Sequence, residues 1–398
     1  MTINLLIKKH QKLWQKFLAN LSYWQVSRIR KLIKIFKALW FLAYWPIEII
    51  SDLISLFRKK KEYRLPAEPK ILIIKIDQLG DLLFSTWLLP AIKKQWPASH
   101  IDYLINPKNE AVLKDNPNVN NIYHWNNRFL NNIPGRQRMS LSKIFKNYSK
   151  LKIDHDYDLV INGRAFWPSS NRLARKLGKT LVAFDISQLS DLADIIVPYD
   201  LKSWEEKNYQ NLLRAIGVAE TIIENTEARG QFFNFQKLAQ EIDAPYWVLA
   251  PVSFDPEKTW EKKKWIEFSR VFLEKNPGQI IIASGTKEQA GWLEEIKNGL
   301  RGQNEIYNRF LVRSDLDLGQ LASLIKGCQG FIGLESFAAH LAIALDKPVS
   351  CLVNTNLFYV PGISQNRLVD GRSMLPEMGN VKILKRDTID ITSLIRLY

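Results

Sequence analysis

Short apolar runs recur along the chain at Ile71 to Ile76, His100 to Ile105, Tyr157 to Ile161, Tyr246 to Ala250, Gln279 to Ala283, Gln329 to Ile332 and Val349 to Val353. A run without polar alternation is what a parallel strand buried on both faces requires. Stretches with helical spacing lie between them, notably Leu82 to Gln95 and Phe337 to Leu345. Strand and helix in alternation predict an α/β chain with doubly wound parallel sheets, whose ligands bind beyond the carboxyl ends of the strands. No short-period repeat or low-complexity tract interrupts the series, which excludes a solenoid. A polar stretch from Trp125 to Lys152 predicts a long basic loop, and a polar linker between Glu224 and Asp243 predicts a boundary. The expected organisation is an extension over residues 1–65, one domain over 66–235 and a second over 236–398.

The extension has a different pattern. Leu32, Ile35, Leu39 and Leu42 fall on one face of a helix, with Arg30, Lys34 and Lys37 on the opposite side. Its most apolar window, Ala38 to Ile47, is about ten residues long, short of the roughly 20 that span a bilayer, and Pro46 interrupts it. Nothing near Met1 has the grammar of a signal peptide. Two alternatives stand: a basic amphipathic helical segment lying on a membrane surface, or a helix pair packed on the body with a solvated basic face.

Charge sharpens this picture. The 398-residue chain carries a net charge of +16, and residues 1–64 hold fourteen Lys and Arg against three acids, so +11 of the total lies in the extension. The cluster Arg58, Lys59, Lys60, Lys61 and Arg64 would add on the order of 1 kcal/mol per charge on an anionic lipid surface. The thin remainder over the body argues against a nucleic-acid-binding surface there. Cys328 and Cys351 both sit in apolar runs, which fits buried thiols in a reducing compartment and excludes a disulfide framework.

Candidate chemistry follows the strands. Asp81 comes just after Gly80 and before an apolar helix; it suits a general base that takes the proton of an attacking hydroxyl, and equally a helix N-cap. Ser253 and Lys258 follow the Tyr246 to Ala250 strand. They would hold a diphosphate, unless Lys258 belongs with Lys262, Lys263 and Lys264 to a solvated charge run. Gly285 lies in the turn after the Gln279 to Ala283 strand. Glu335 and Ser336 open the helix at Phe337, a position that favours phosphate and sugar hydroxyls but also plain capping. His340, one turn in, is expected to brace that loop rather than to react. The five histidines and two cysteines have no zinc-type spacing, and there is no G-x-G-x-x-G or Walker motif.

These residues resemble the motifs of the glycosyltransferase family that contains the lipopolysaccharide heptosyltransferases. Lys75, Asp77, Gly80 and Asp81 match its opening (R/K)-x-D-x-x-G-D, and Asp156 to Ile161 resembles its DYDLVID strand with Asn162 for the last acid. Lys258-Thr259-Trp260 resembles K-x-W-P with Glu261 for proline, and Gly333 to Ala342 resembles G-x-D-S-G-P-x-H-L-A. The resemblance implies a GT-B fold, two Rossmann-like doubly wound domains facing a cleft. It implies inverting, metal-independent transfer of a heptose or related sugar from a nucleotide-sugar, without a cofactor, to a lipopolysaccharide-core or other lipid-linked anionic saccharide. Asp81 would be the base; Ser253, Lys258, Gly285, Glu335, Ser336, Phe337 and His340 would meet the donor. Lys75, Gly80, Arg128, Arg136, Arg138 and Arg164 would meet the acceptor. The implied location is cytoplasmic, peripheral on the inner face of a bacterial inner membrane, with no nucleic-acid partner. Glu335, Phe337 and Ala338 depart from the family's Asp, Gly and Pro, which leaves as a rival a catalytically inactive GT-B scaffold that binds membrane and pathway enzymes.

Overall fold

The computed structural model describes residues 64–125, 153, 156–163, 168–185, 192–200, 205–227, 229–238, 242–253, 259–353, 358–359, 368–369 and 381–385. The extension, apart from its last two residues, and the basic loop with Arg128, Arg136 and Arg138 lie outside the described residues, as do Arg164 and Lys258.

In chain order the first half runs β1 (Lys70–Lys75), α1 (Leu79–Ser85), α2 (Leu88–Gln95), β2 (His100–Ile105), a 3-10 turn at Pro107–Val112 and β3 (Asn121–His124). It continues with β4 (Tyr157–Asn162), α3 (Pro168–Leu177), β5 (Gly178–Phe184), β6 (Ile195–Val197), α4 (Glu205–Ala215) and α5 (Glu220–Glu224). The second half runs β7 (Tyr246–Ala250), α6 (Lys262–Lys275), β8 (Ile280–Ser284), α7 (Ala290–Asn298), α8 (Asn304–Asn308) and β9 (Phe310–Arg313). Then come α9 (Leu318–Gly327), β10 (Gly330–Leu334), α10 (Phe337–Ala344), β11 (Val349–Val353), the short strands β12 (Phe358–Tyr359) and β13 (Leu368–Val369), and β14 (Val381–Lys385).

Two six-stranded sheets result, ordered β3-β2-β1-β4-β5-β6 and β14-β11-β10-β7-β8-β9. Every pairing within them is parallel. Counted within each half, both have the 3-2-1-4-5-6 order of a doubly wound dinucleotide-type fold. The expected series ended at Val349–Val353; the structure adds β14 beside β11, and it closes the second sheet to the same plan as the first.

The expected helix from Leu82 to Gln95 is two helices. Pro90 cannot follow Thr86 within one continuous helix, because its ring meets the carbonyl four residues earlier. The chain re-forms its bonds at the break: Trp87 N–H donates to the Phe84 carbonyl (3.1 Å) and Leu89 N–H to the Thr86 carbonyl (3.1 Å). Thr86 Oγ1 donates to the Leu83 carbonyl (2.6 Å) and accepts from the Gln231 N–H (2.6 Å), so the break also receives the chain that crosses between the halves. Trp87 fills the corner, fully buried, with its ring edge-on to Tyr209 at 6.3 Å.

The crossing segment is held on both sides. A Cβ on Gly230 would stand 2.4 Å from the Leu83 carbonyl oxygen, so only glycine lets the chain lie against α1 there. Further on, Asn234 donates to the Ala111 carbonyl (3.2 Å) and Gln236 N–H to the Gly319 carbonyl (3.2 Å) at the start of α9. One apolar cluster joins Leu82, Leu83, Phe84, Trp87 and Phe232 to Ala339, Leu341, Ala342 and Ile343 of α10. Both cysteines are buried thiols.

Candidate functional site

In each sheet the direction of winding reverses between two neighbouring strands, β1 and β4 in the first and β7 and β10 in the second. A crevice opens there because the loops leaving the two strands go to opposite faces. In the first half Lys75 ends β1 at this point, 5% exposed. Its Nζ donates to the Gly163 carbonyl beyond β4 (2.9 Å), pairs with Asp77 Oδ2 (2.9 Å) and stands 5.8 Å from the centre of the Tyr209 ring. Lys75 is thus anchored inside the protein by the Gly163 carbonyl and Asp77. Burial alone would discharge it, but Asp77, with Tyr209, Asp81 and Glu205 behind it, outweighs burial and keeps the ammonium well above its ordinary pKa.

Asn109 donates to the Asp77 carbonyl (2.8 Å) and holds the turn that follows. Gln78 is the N-cap of α1, and Asp81 is the third helical residue, so capping is not what Asp81 does. Its carboxyl is pushed above the usual carboxylate range. Burial is the main cause; Lys75 opposes it, Asp77 adds to it, His340 opposes it and Glu335 adds to it. A carboxylate lifted in this way, yet held partly down by a neighbouring cation, has the kind of environment in which general bases are found.

The second half supplies the opposite wall. Glu335 leaves β10 with its N–H donated to the Leu352 carbonyl (3.2 Å). Ser336 occupies the N-cap position of α10 in an extended conformation, and its hydroxyl makes no capping bond. Capping therefore does not account for this serine. One turn on, His340 Nε2 lies 3.3 Å from Glu335 Oε1. The same ring packs on α1: a Cβ on Gly80 would stand 2.8 Å from His340 Cδ2. Gly80 is thus a close-approach residue that brings the helix of Asp81 against the helix of His340. Gly80→Ala is expected to displace the imidazole from Glu335 and lower turnover while the melting temperature stays near wild type. Steady-state rates beside a thermal melt check this.

Around these residues the structure gathers groups that no motif marks. Tyr199 donates its hydroxyl to Glu205 at the start of α4. The ring of Phe184 sits edge-on to Tyr199 at 5.0 Å and to Tyr209 at 6.2 Å. Glu205 is also raised above the usual range by burial, against Lys75 and the Tyr199 hydroxyl and with Asp81 and Asp77. Tyr199 and Glu205 fall in a polar stretch after β6, where only the β5-β6-α4 path brings them back under β1.

The other expected donor residues divide. Ser253 lies beyond β7 with its N–H toward Thr259 Oγ1 at 3.4 Å. Gly285 gives its N–H to the Arg313 carbonyl (3.2 Å), and a Cβ there would meet Gln289 Oε1 at 2.8 Å, so this glycine serves the packing of the turn. Phe337 is half-buried against the shared apolar cluster. Asp158, in the DYDLVI stretch, accepts from the Lys70 N–H (3.0 Å) and pairs with Lys179 (2.8 Å) at the amino end of the sheet, remote from the crevice. Among the described residues no group of three His, Cys, Asp or Glu is arranged to hold a metal, and no helix is long and apolar enough to cross a membrane.

Two doubly wound parallel sheets joined through α1 and α10 have the architecture of the GT-B fold. The comparisons agree. The model of "Glycosyltransferase family 9 (heptosyltransferase)" matches residues 215–369. Lipooligosaccharide heptosyltransferase 2 of Haemophilus ducreyi is 25% identical over 345 residues, 81% of this chain and 96% of its own length. Lipopolysaccharide heptosyltransferase 3 of Escherichia coli is 22% identical over 299 residues, 71% and 83%. The solved family 9 glycosyltransferase of Veillonella parvula has a TM-score of 0.63 at 17% identity, covering 82% of this chain and 95% of that one. E. coli heptosyltransferase WaaC with ADP-2-deoxy-2-fluoro heptose has 0.59 at 14%, covering 82% and 98%. The chain is a glycosyltransferase, similar to those of family 9 and to the lipopolysaccharide heptosyltransferases.

Proposed function

We propose that this protein transfers a heptose or related sugar from a nucleotide-sugar to the core of lipopolysaccharide or a similar lipid-linked glycan, with inversion and without a metal. The observation that carries it is Asp81, lifted above the usual carboxylate range at a cleft whose other wall is the amino end of α10. The curated relatives are named heptosyltransferases of lipopolysaccharide or lipooligosaccharide, and this supports the donor and acceptor classes.

In this mechanism Asp81 takes the acceptor hydroxyl proton while that oxygen attacks the anomeric carbon from the face opposite the nucleotide. The bond to the diphosphate oxygen breaks, and the leaving charge is met by the first turn of α10, the Ser336 hydroxyl and Lys258. Ser253 lies on the same side, and His340, held by Glu335, lines the space between donor and base. Arg128, Arg136, Arg138 and Arg164 would meet an anionic acceptor. The basic extension of residues 1–65 would hold the enzyme on the cytoplasmic face of the inner membrane, beside an acceptor domain (66–235) and a donor domain (236–398).

Thermal unfolding with ADP, UDP, GDP and CMP, each in excess, tests the donor site. A nucleotide at about 100 times its dissociation constant stabilises the fold by roughly 2.7 kcal/mol. One nucleotide is expected to do so, with the shift lost in Lys258→Ala. Equal melting with all four would sink the nucleotide-sugar assignment.

A further inference from the structure

The segment that crosses between the halves has an outer edge that the core does not use. Its side chains alternate as in a strand: Phe232 and Asn234 turn inward and are buried, while Phe233 (36% exposed) and Phe235 (37%) turn outward. Among the described residues the other large apolar side chain so exposed is Ile196, on the edge strand β6 of the first sheet. Two outward phenyl rings two residues apart form a patch rather than a scatter, and such patches mark contact surfaces. Cations accompany them. Lys326, near the end of α9, holds its Nζ 4.4 Å from the centre of the Phe235 ring, and Lys237 is exposed two residues beyond Phe235. Residues 229–238 and α9 contain no Asp or Glu; Asp317, just before α9, accepts from the Gln320 N–H (2.8 Å) as its cap. Aromatic rings with lysines and no carboxylate among them suit the interface of an anionic bilayer, where rings enter the headgroup layer and ammonium groups stay with the phosphates. A protein partner is less well matched, since lysine is depleted from the centres of protein interfaces.

The place of this edge fits that occupant. Asn234 is fastened to Ala111, in the turn just past β2, and Gln236 to Gly319, just past β9. Both anchors lie beyond the carboxyl ends of their sheets, the end at which the crevices open. We propose that Phe233, Phe235, Lys237 and Lys326 form a lipid-contact edge that seats the crevice side of the body on an anionic membrane surface, so that a lipid-linked acceptor enters the cleft without leaving the bilayer. The inference rests on the acceptor being lipid-linked and concerns a contact separate from the basic extension.

The test is the fluorescence of the full chain labelled with an environment-sensitive probe at Phe233→Cys, beside the same label at Lys275→Cys. Lys275 is exposed at the end of α6, toward the opposite end of the second sheet. Both native cysteines are buried, which leaves the introduced thiol to react. Vesicles of phosphatidylcholine with phosphatidylglycerol are expected to shift the emission at position 233 to the blue, by less when phosphatidylglycerol is left out, and to leave the emission at position 275 unmoved. The double variant Phe233→Ser, Phe235→Ser is expected to bind the same vesicles about tenfold more weakly in co-sedimentation. Its melting temperature stays near wild type, because both side chains are exposed. An unmoved emission at position 233 in protein that sediments with vesicles overturns the inference and leaves membrane binding to the extension. A blue shift without vesicles that grows with protein concentration also overturns it, in favour of a second copy of the chain on this edge. Protein that does not sediment at all removes membrane association itself, a different failure.

Discussion

Replacing Asp81 by Asn lowers turnover about 10²- to 10⁴-fold, the usual contribution of a positioned general base. Donor affinity stays nearly intact, because the contacts proposed for the donor come from the second half of the chain rather than from α1. The same substitution raises stability at neutral pH. An unfolded chain holds an aspartate near its ordinary pKa of about 3.9, whereas burial raises it in the fold. Between those two values the folded state keeps a proton the unfolded state has lost, so stability falls as pH rises through the window and the penalty is complete above it. Asn carries no such penalty. Asp81→Asn should therefore melt above wild type at neutral pH, with the gap closing as the pH approaches the unfolded value. Turnover assays and melts at two pH values check both halves. Wild-type turnover would remove Asp81 from the chemistry, and a lower melting temperature would remove the strain attributed to its burial.

The second large effect is on packing. The structure buries Trp87 completely beside Phe84, at 6.3 Å between ring centroids, and Tyr209. Trp87→Ala empties the corner between α1, α2 and α4 and is expected to cost about 3–5 kcal/mol of unfolding free energy. Tyr209 borders both this corner and Lys75, so the loss should also loosen the floor under Asp81. Denaturant unfolding would show a lower midpoint with an unchanged slope. A midpoint within experimental scatter of wild type would mean that the corner collapses without loss.

The strands were legible where both faces are buried. Tyr246–Ala250 and Val349–Val353 have the expected bounds because an unbroken apolar run leaves little choice. Gln279 and Gln329 were expected inside strands and lie just before them, since β8 and β10 begin at Ile280 and Gly330 and end one or two residues later than the apolar reading. β14 escaped notice because two lysines break the apolar run in Val381–Lys385, as suits a strand at a sheet edge. Of the site, Asp81, Glu335, Ser336 and His340 could be found from one rule, that ligands lie past strand ends. Tyr199, Glu205 and Tyr209 could not: they sit on a strand exit and a helix with no spacing signal, and only the fold carries them beneath β1. Lys75 was legible as a motif residue but not as a buried ammonium, since sequence spacing does not tell one from a lysine at the surface.

The apolar cluster that crosses between the halves has a further consequence. Leu82 and Leu83 from one sheet's helix pack with Leu341 and Ile343 from the other's, under a crossing segment that Gly230, Asn234 and Gln236 fasten at both ends. A division of the chain at that segment would leave raw hydrophobic surface on both pieces. The two sheets repeat one blueprint, yet the shared interior is expected to make them melt as a single body.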